Sequence, residues 1–191
     1  MEYSQKWITS EFAVLPSLEA GRLHSYSVRM LVLAVLLIGW LTFRAAGAAG
    51  VEKLANWRDS GRWALAVMLM FTASAHFTSM RHDLVRMVPG WVPNPDAVIL
   101  ITGILEIAGA VGLLLPSTRA LAGVCLCLLF AAMFAANVKA SREGLTIGGT
   151  PATDLVLRLP MQILFIWLAW WSTRGREGSD RLLRRRGRPL V

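Results

Sequence analysis

Long apolar stretches separated by short polar segments dominate this chain. A helix needs about 20 mostly apolar residues to cross a hydrocarbon core of about 30 Å. The pattern predicts five membrane-spanning helices, at about residues 28–49, 63–80, 97–115, 119–138 and 152–171. The second is the weakest of these, because Thr72, Ser74 and His76 dilute its apolar character.

Local chemistry supports several of the predicted helix boundaries. The Asn-Pro-Asp segment at 94–96 supplies an N-cap, a proline at the first helical position and an acid in the first turn of the third helix. Thr150 and Pro151 repeat this arrangement before the fifth helix. Pro116 ends the third helix, and the short turn after it predicts that the third and fourth helices are antiparallel neighbours. Pro160 predicts a kink inside the fifth helix.

The composition favours lipid as the solvent for most of the chain. The 191 residues are 55% hydrophobic and 17% charged, whereas a soluble domain usually carries about 25% charged residues. The mean hydropathy is +0.51. We therefore predict an all-α fold, an integral membrane helical bundle without a large extramembrane module.

Basic charge is concentrated at the C-terminal end, in residues 172–191. The formal net charge is +8, and seven arginines after Trp171 face only one glutamate and one aspartate. Beside a membrane span, such a tail favours anionic lipid, at about 1 kcal/mol per arginine near the surface, and not nucleic acid. The positive-inside rule then predicts a cytoplasmic C-terminus and an N-terminus outside.

Polar side chains inside membrane-spanning helices are expensive, so each needs a partner or a function. Glu106 lies near the middle of the third helix, where an acid costs on the order of 2.5–3.5 kcal/mol on insertion scales. Arg158 in the fifth helix is its natural partner; alternatively, Glu106 is protonated. Topology brings further polar groups to the outer half of the bundle, so the candidate ligand-binding residues are His76, Glu106, Asn137, Arg158 and Gln162.

Two interpretations of this polar cluster remain open. Interhelical hydrogen bonds can simply hold the bundle and fix the register of its helices. The other interpretation is a ligand or proton site, because five polar groups at similar depth are more than are needed to fix the register of the helices. The segment 81–96 is predicted to lie over this cluster as a short interfacial helix followed by a proline-rich stretch that leads into the third helix. This segment could be a lid or a simple connector, and the pattern favours the connector slightly.

The sequence also resembles a known family. The resemblance rests on Ala75-His76-Phe77, Val88–Pro93, Thr102-Gly103, Glu106–Pro116, Ala136-Asn137 and Arg158-Leu159-Pro160 with Gln162. In this order and spacing they resemble the DoxX-like family of small bacterial membrane proteins. The resemblance covers residues 62–171 and implies a four-helix bundle in the bacterial inner membrane. An N-terminal extramembrane segment (1–27), an additional transmembrane helix with its loop (28–61) and the basic cytoplasmic tail (172–191) would flank it.

The resemblance implies an association with redox systems. Some members resemble subunits of thiosulfate:quinone oxidoreductase, and others accompany thiol-stress proteins in membrane complexes. We therefore expect a membrane subunit of a quinone- or thiol-linked redox complex, with a bound quinone among the polar residues. The alternative is a non-enzymatic membrane scaffold or assembly factor, in which the cluster only holds the bundle. A solute transporter has less support, because no paired repeat of broken helices is visible.

Several kinds of redox chemistry are disfavoured by the residues themselves. A bis-histidine haem needs two histidines within reach, and only His76 lies inside a predicted span. Cys125 and Cys127 lack the C-x-x-C spacing of a reactive pair and fall on different faces of one helix. The sequence shows no metal-ligand motif and no self-sufficient catalytic motif. We therefore expect no intrinsic cofactor and no metal, and electrons would come through a bound quinone or a partner subunit.

Overall fold

A computed structural model describes residues 30–151 and 155–174 of the protein. Helices make up most of the described part, which confirms the all-α prediction. Two 3₁₀ turns, Glu52–Leu54 and Ala75–Phe77, flank the second helix. The other elements, in chain order, are α1 (Leu31–Ala48), α2 (Trp57–Ser74), α3 (Arg81–Met87), α4 (Pro95–Leu114), α5 (Arg119–Arg142), β1 (Thr146–Ile147), β2 (Thr150–Pro151) and α6 (Leu155–Thr173).

Four of these helices, α1, α4, α5 and α6, are long and apolar enough to cross a membrane. Helix α2 meets that criterion only when it is taken together with α3, from which a bend of 93° separates it. The described residues are therefore compatible with a multi-pass membrane protein. The weakness predicted for the second span is confirmed.

Helix α2 also lies earlier in the chain than its apolar run predicted. It begins at Trp57 and not near Trp63, because Asp59 forms an ion pair with Arg62 and allows a charged first turn to be helical. It ends at Ser74, where a 3₁₀ turn over Ala75–Phe77 leads into the bend before α3.

The helices pack around α2. Helix α2 contacts α1, α4 and α6, and α5 contacts α4 and α6. The centre is filled by fully buried aliphatic side chains, among them Leu65, Leu69, Leu113, Leu126 and Leu168. The predicted antiparallel packing of the third and fourth apolar helices is confirmed, because Gly109 of α4 lies against Leu126 of α5 and Gly112, further along α4, lies against Ala122, earlier in α5.

The two boundary predictions built on proline differ in outcome. The Asn94 side chain accepts a hydrogen bond of 3.2 Å from the Ala97 amide, and Pro95 is the first residue of α4, as predicted. The same prediction for Thr150 and Pro151 is wrong, because these residues form β2, which pairs with β1. Gly148 and Gly149 both have positive φ angles, +58° and +77°, as a tight hairpin turn requires, and this turn folds 150–151 back onto β1.

Some predictions remain predictions. The N-terminal segment 1–27 and tail residues 175–191 lie outside the described residues, and so does the predicted lipid contact of that tail. Pro160 lies inside α6, as expected, and the kink assigned to it stays a prediction.

The end of the bundle where α1 meets α2 is held by one buried arginine and several tryptophans. Arg62 is 8% exposed, pairs with Asp59 and donates a hydrogen bond of 3.2 Å to the Ser172 carbonyl. The Trp40 indole lies 6.2 Å from the Trp57 ring and 6.0 Å from a third tryptophan ring, that of Trp171. We name this region the inner end and the opposite end of the bundle the outer end, after the orientation predicted from the basic tail.

Candidate functional site

A cavity of about 470 Å³ lies at the opposite, outer end of the bundle. Its walls come from the start of α1, the end of α2, and helices α4, α5 and α6, and its roof comes from α3 and β1. All five polar residues singled out from the sequence line this one cavity: His76, Glu106, Asn137, Arg158 and Gln162. Apolar side chains form most of the remaining surface, with phenylalanines and methionines prominent among them.

Glu106 and His76 form the first polar wall of the cavity, which we call the acid wall. Glu106 on α4 is 2% exposed, and His76 in the 3₁₀ turn after α2 is 4% exposed. The Glu106 Oε1 atom lies 3.5 Å from the His76 Nε2 atom. The Thr72 hydroxyl lies 2.7 Å from the other carboxyl oxygen, so both oxygens of this buried acid have a polar neighbour.

The hydrogen bonds of His76 restrict where its protons sit. Its Nδ1 atom lies 2.8 Å from the Ile99 carbonyl oxygen, which can only accept a hydrogen bond, so Nδ1 carries a proton. The Nε2 atom is then left to face Glu106. A proton on Nε2 or on the facing carboxyl oxygen would make this contact a hydrogen bond.

Gly103 on α4 creates the room that His76 occupies. A Cβ atom at position 103 would lie 2.7 Å from the His76 Cβ atom and 2.9 Å from its Cγ atom, closer than real Cβ contacts. The Thr102 hydroxyl, on the same turn of α4, lies 3.3 Å from His76 Nδ1. Helix α4 therefore positions the imidazole in two ways. Gly103 leaves space for the ring, and Thr102 places a hydroxyl group near its Nδ1 atom.

The second polar wall, which we call the arginine wall, joins α5 and α6. Arg158 Nη1 donates a hydrogen bond of 2.6 Å to the Asn137 side-chain oxygen. The Asn137 amide donates in turn to Gln162 Oε1, at 3.3 Å, and the Gln162 amide donates to the Phe130 carbonyl. Arg158 and Gln162 lie one turn apart on α6, as their spacing predicted.

The partners of Glu106 therefore differ from the sequence-based expectation. We expected Arg158 to pair with it, but the contacts that the structure gives Glu106 are with His76 and Thr72, and Arg158 donates to Asn137. The difference arises because the chain leaves the α-helix at Ala75, and the 3₁₀ turn brings His76 against α4.

Two threonines in this network were missed from the sequence. Thr72 lies one helical turn before His76, and Thr102 lies one turn before Glu106. Residues four apart share a helix face, so this spacing was a usable signal. In the apolar pattern, Thr72 counts only as a residue that weakens the apolar character of its helix.

The predicted short helix over the cavity is present as α3. Its Leu84 and Met87 side chains line the cavity from above, together with Ile147 of β1. Asp83 of α3 accepts hydrogen bonds from the Gly148 amide, at 2.7 Å, and from Arg86, at 2.5 Å. These two donors lower the pKa of the Asp83 carboxyl group, the amide of Gly148 contributing most.

A lysine also holds this roof to the bundle. Lys139 on α5 donates hydrogen bonds of 2.8 Å to the carbonyl oxygens of Arg86 and Val88, at the end of α3. Because these carbonyls lie at a helix C-terminus, they favour a positive partner. Helix α3 is therefore attached both to the hairpin and to α5.

Within the part of the chain that the structure describes, no group of three or more His, Cys, Asp or Glu side chains is arranged to hold a metal ion. The two cysteines are both free thiols. Cys125 is exposed, whereas Cys127 lies against α6 with its sulfur 3.5 Å from the Ile166 carbonyl oxygen.

Comparison with known proteins places the chain in a family but gives no activity. No curated protein and no solved structure matches it. Residues 65–173, more than half of the chain, match the family described as a domain of unknown function, DUF8561. The matching region contains all five polar cavity residues and leaves α1 outside. The protein therefore belongs to the DUF8561 family.

Proposed function

We propose that this protein is a multi-pass protein of the bacterial inner membrane, with a DoxX-like bundle formed by α2, α4, α5 and α6 and with α1 added in front. The exposed surface around the helices supports this proposal, because Ile38, Leu121 and Leu128 are 64%, 66% and 66% exposed. Large apolar side chains exposed on several helices suit acyl chains better than water. The C-terminus would be cytoplasmic and the N-terminus outside.

Its proposed function is that of a membrane subunit in a redox complex, where it holds a quinone. The observation that carries this proposal is the cavity with polar groups on two walls and an apolar surface between them. A 1,4-quinone has an oxygen at each end of an apolar ring. Arg158 and Gln162 on one wall and His76 with Glu106 on the other supply hydrogen-bonding groups for both ends.

The two walls would contribute differently to such a site. Quinone reduction consumes two electrons and two protons. In the acid wall a carboxyl oxygen faces an imidazole nitrogen at 3.5 Å, and these two side-chain types are common general acids and bases, so this wall is suited to proton exchange. Arg158 keeps its charge at all relevant pH values and is suited to hold an oxygen that gains negative charge. The electrons would come from a partner subunit of the complex, a redox protein that is quinone- or thiol-linked.

The test is quinone binding to the full-length protein in lipid nanodiscs. A decyl-substituted 1,4-benzoquinone should bind, and His76→Ala, Glu106→Gln and Arg158→Gln should each weaken binding about 10- to 100-fold, the effect of losing a hydrogen bond to a charged group. Ser172→Ala is the matched control, because Ser172 is buried at the inner end, away from the cavity. Unchanged affinity in folded samples of all three variants would refute the site.

A non-enzymatic scaffold or assembly factor is the second candidate. The hydrogen bonds within each wall favour it, because these polar groups largely satisfy one another across pairs of helices. Such contacts are worth about 0.6 kcal/mol each in membrane proteins and can serve packing alone. Purification in mild detergent separates the two functions: a stoichiometric partner without a redox cofactor, together with no quinone binding, would support the scaffold.

A further inference from the structure

The cavity is only partly enclosed, and the lining side chains that are also exposed mark its opening. Leu31 of α1 is 45% exposed, Phe71 of α2 is 43% exposed, and Met80 in the turn after α2 is 38% exposed. Ser74 and Thr78, near the same end of α2, are exposed as well. The lining side chains of α4, α5 and α6 are buried or half-buried. The opening therefore lies beside α1 and the end of α2.

The position and chemistry of this opening favour the bilayer as the source of the ligand. Leu31 and Phe71 are apolar and belong to helices that we place across the membrane. Acyl chains would meet these side chains first, and a water-borne solute would have to displace lipid to reach them. The roof, in contrast, is tied down by the contacts of Asp83 and Lys139.

The cavity surface indicates a ligand with a flexible apolar part. Five of the eight methionines of the chain line the cavity, which concentrates an unbranched and adaptable side chain in one place. Methionine fills irregular apolar space and is over-used where binding surfaces must adapt to their ligands. These five residues are Met68, Met80, Met87, Met133 and Met161.

We infer that the ligand is a lipid-dissolved amphiphile that passes sideways between Leu31 and Phe71, leaves its apolar tail in this opening and places its polar head between the two walls. Helix α1, which lies outside the region that matches the family, thereby controls access to a site built by the matching region. The inference rests on the proposed quinone site and deepens it, because it requires a tailed quinone.

The experiment compares two quinones and two tryptophan substitutions in the full-length protein in nanodiscs. Leu31→Trp narrows the opening. Ile38→Trp is its matched control, because Ile38 lies two turns further along α1, is 64% exposed and is absent from the cavity lining. We expect Leu31→Trp to slow association of decyl-benzoquinone at least tenfold and Ile38→Trp to leave it unchanged. The tailless benzoquinone should bind the wild type at least tenfold more weakly than the decyl compound.

A second variant keeps the test decisive if Leu31→Trp does not fold. Phe71→Ala widens the opening, so both association and dissociation of decyl-benzoquinone should become at least threefold faster. Equal association rates in wild type, Leu31→Trp and Phe71→Ala, with faster association in the roof variant Asp83→Ala, would overturn lateral access while leaving the quinone site intact. A wild type that binds neither quinone would overturn the proposed function and this inference together.

Discussion

Glu106 and Arg62 are both buried charged residues, but they are accommodated in different ways. Glu106 is 2% exposed, and its contacts come from another helix and the turn after it. Arg62 is 8% exposed and has a partner, Asp59, one turn away on its own helix. The comparison shows that burial of a charge does not by itself indicate a binding site.

What separates the two regions is the space beside the charge. Around Arg62, the inner end is filled by the rings of Trp40, Trp57 and Trp171 and by the last turn of α6. Beside Glu106 lies a cavity of about 470 Å³. Polar groups at the inner end are therefore expected to affect stability alone, and polar groups at the outer end to affect both stability and binding.

Gly103→Ala should have the largest effect, because it acts on both properties. The new methyl group would overlap His76, and overpacking of this kind costs about 1–3 kcal/mol. It should also displace the imidazole and reduce quinone affinity about tenfold or more. Thermal unfolding and binding in nanodiscs measure the two effects. Gly90→Ala is the control, because no atom lies within 4 Å of a Cβ atom there; similar behaviour of the two variants would contradict the steric argument.

Asp59→Ala tests the inner end. It removes the local partner of Arg62 and should lower the free energy of unfolding by about 1–3 kcal/mol, the cost of leaving a buried polar group short of a hydrogen bond. Quinone affinity of the folded fraction should stay unchanged. The exposed acid Glu52, at the same end, provides the control Glu52→Ala, with an expected change within about 0.5 kcal/mol. If Asp59→Ala weakened quinone binding without lowering the free energy of unfolding, the proposed difference between the inner and outer ends would be wrong.

The roof should respond to acid in a defined direction. The Asp83 pKa is lowered in the folded protein, from an ordinary value of 3.8, so the carboxylate stabilises the roof above that pH. This contribution is lost as the pH falls through the lower, folded-state pKa. As the pH falls below 3.8, hydrogen exchange of the Gly148 amide should become faster relative to hydrogen exchange of amides at the inner end. Asp83→Asn should abolish the pH dependence; an identical pH response in that variant would assign it to another group.

Ser172→Ala should have the smallest effect. The Ser172 hydroxyl is buried, and within the described residues it has no hydrogen-bond partner. Its removal should change the free energy of unfolding by less than about 0.5 kcal/mol, or stabilise the protein slightly, because an unsatisfied buried hydroxyl is itself unfavourable. Thermal unfolding measures this directly. A loss above about 1 kcal/mol would mean that the inner end depends on this hydroxyl after all.

The sequence predicted five polar residues of the cavity, but not their contacts. Five polar positions were identified because each interrupts an apolar run at similar depth, and all five line one cavity. The pairing of Glu106 with Arg158 could not be judged in the same way, because helix spacing gives depth but not rotation about the helix axis. The actual partners depend on a 3₁₀ turn that brings His76 against Gly103.

The apolar pattern by itself predicted an all-α fold and the number and order of its long helices, because a helix long enough to cross a bilayer needs about 20 mostly apolar residues. The N-cap of α4 was also readable, since capping is local. Only the tertiary structure decided that a bend of 93° separates α2 from α3, that the hairpin and α3 form a roof, and that α1 borders the opening. These features arise from contacts between residues far apart in the chain, which local pattern does not encode.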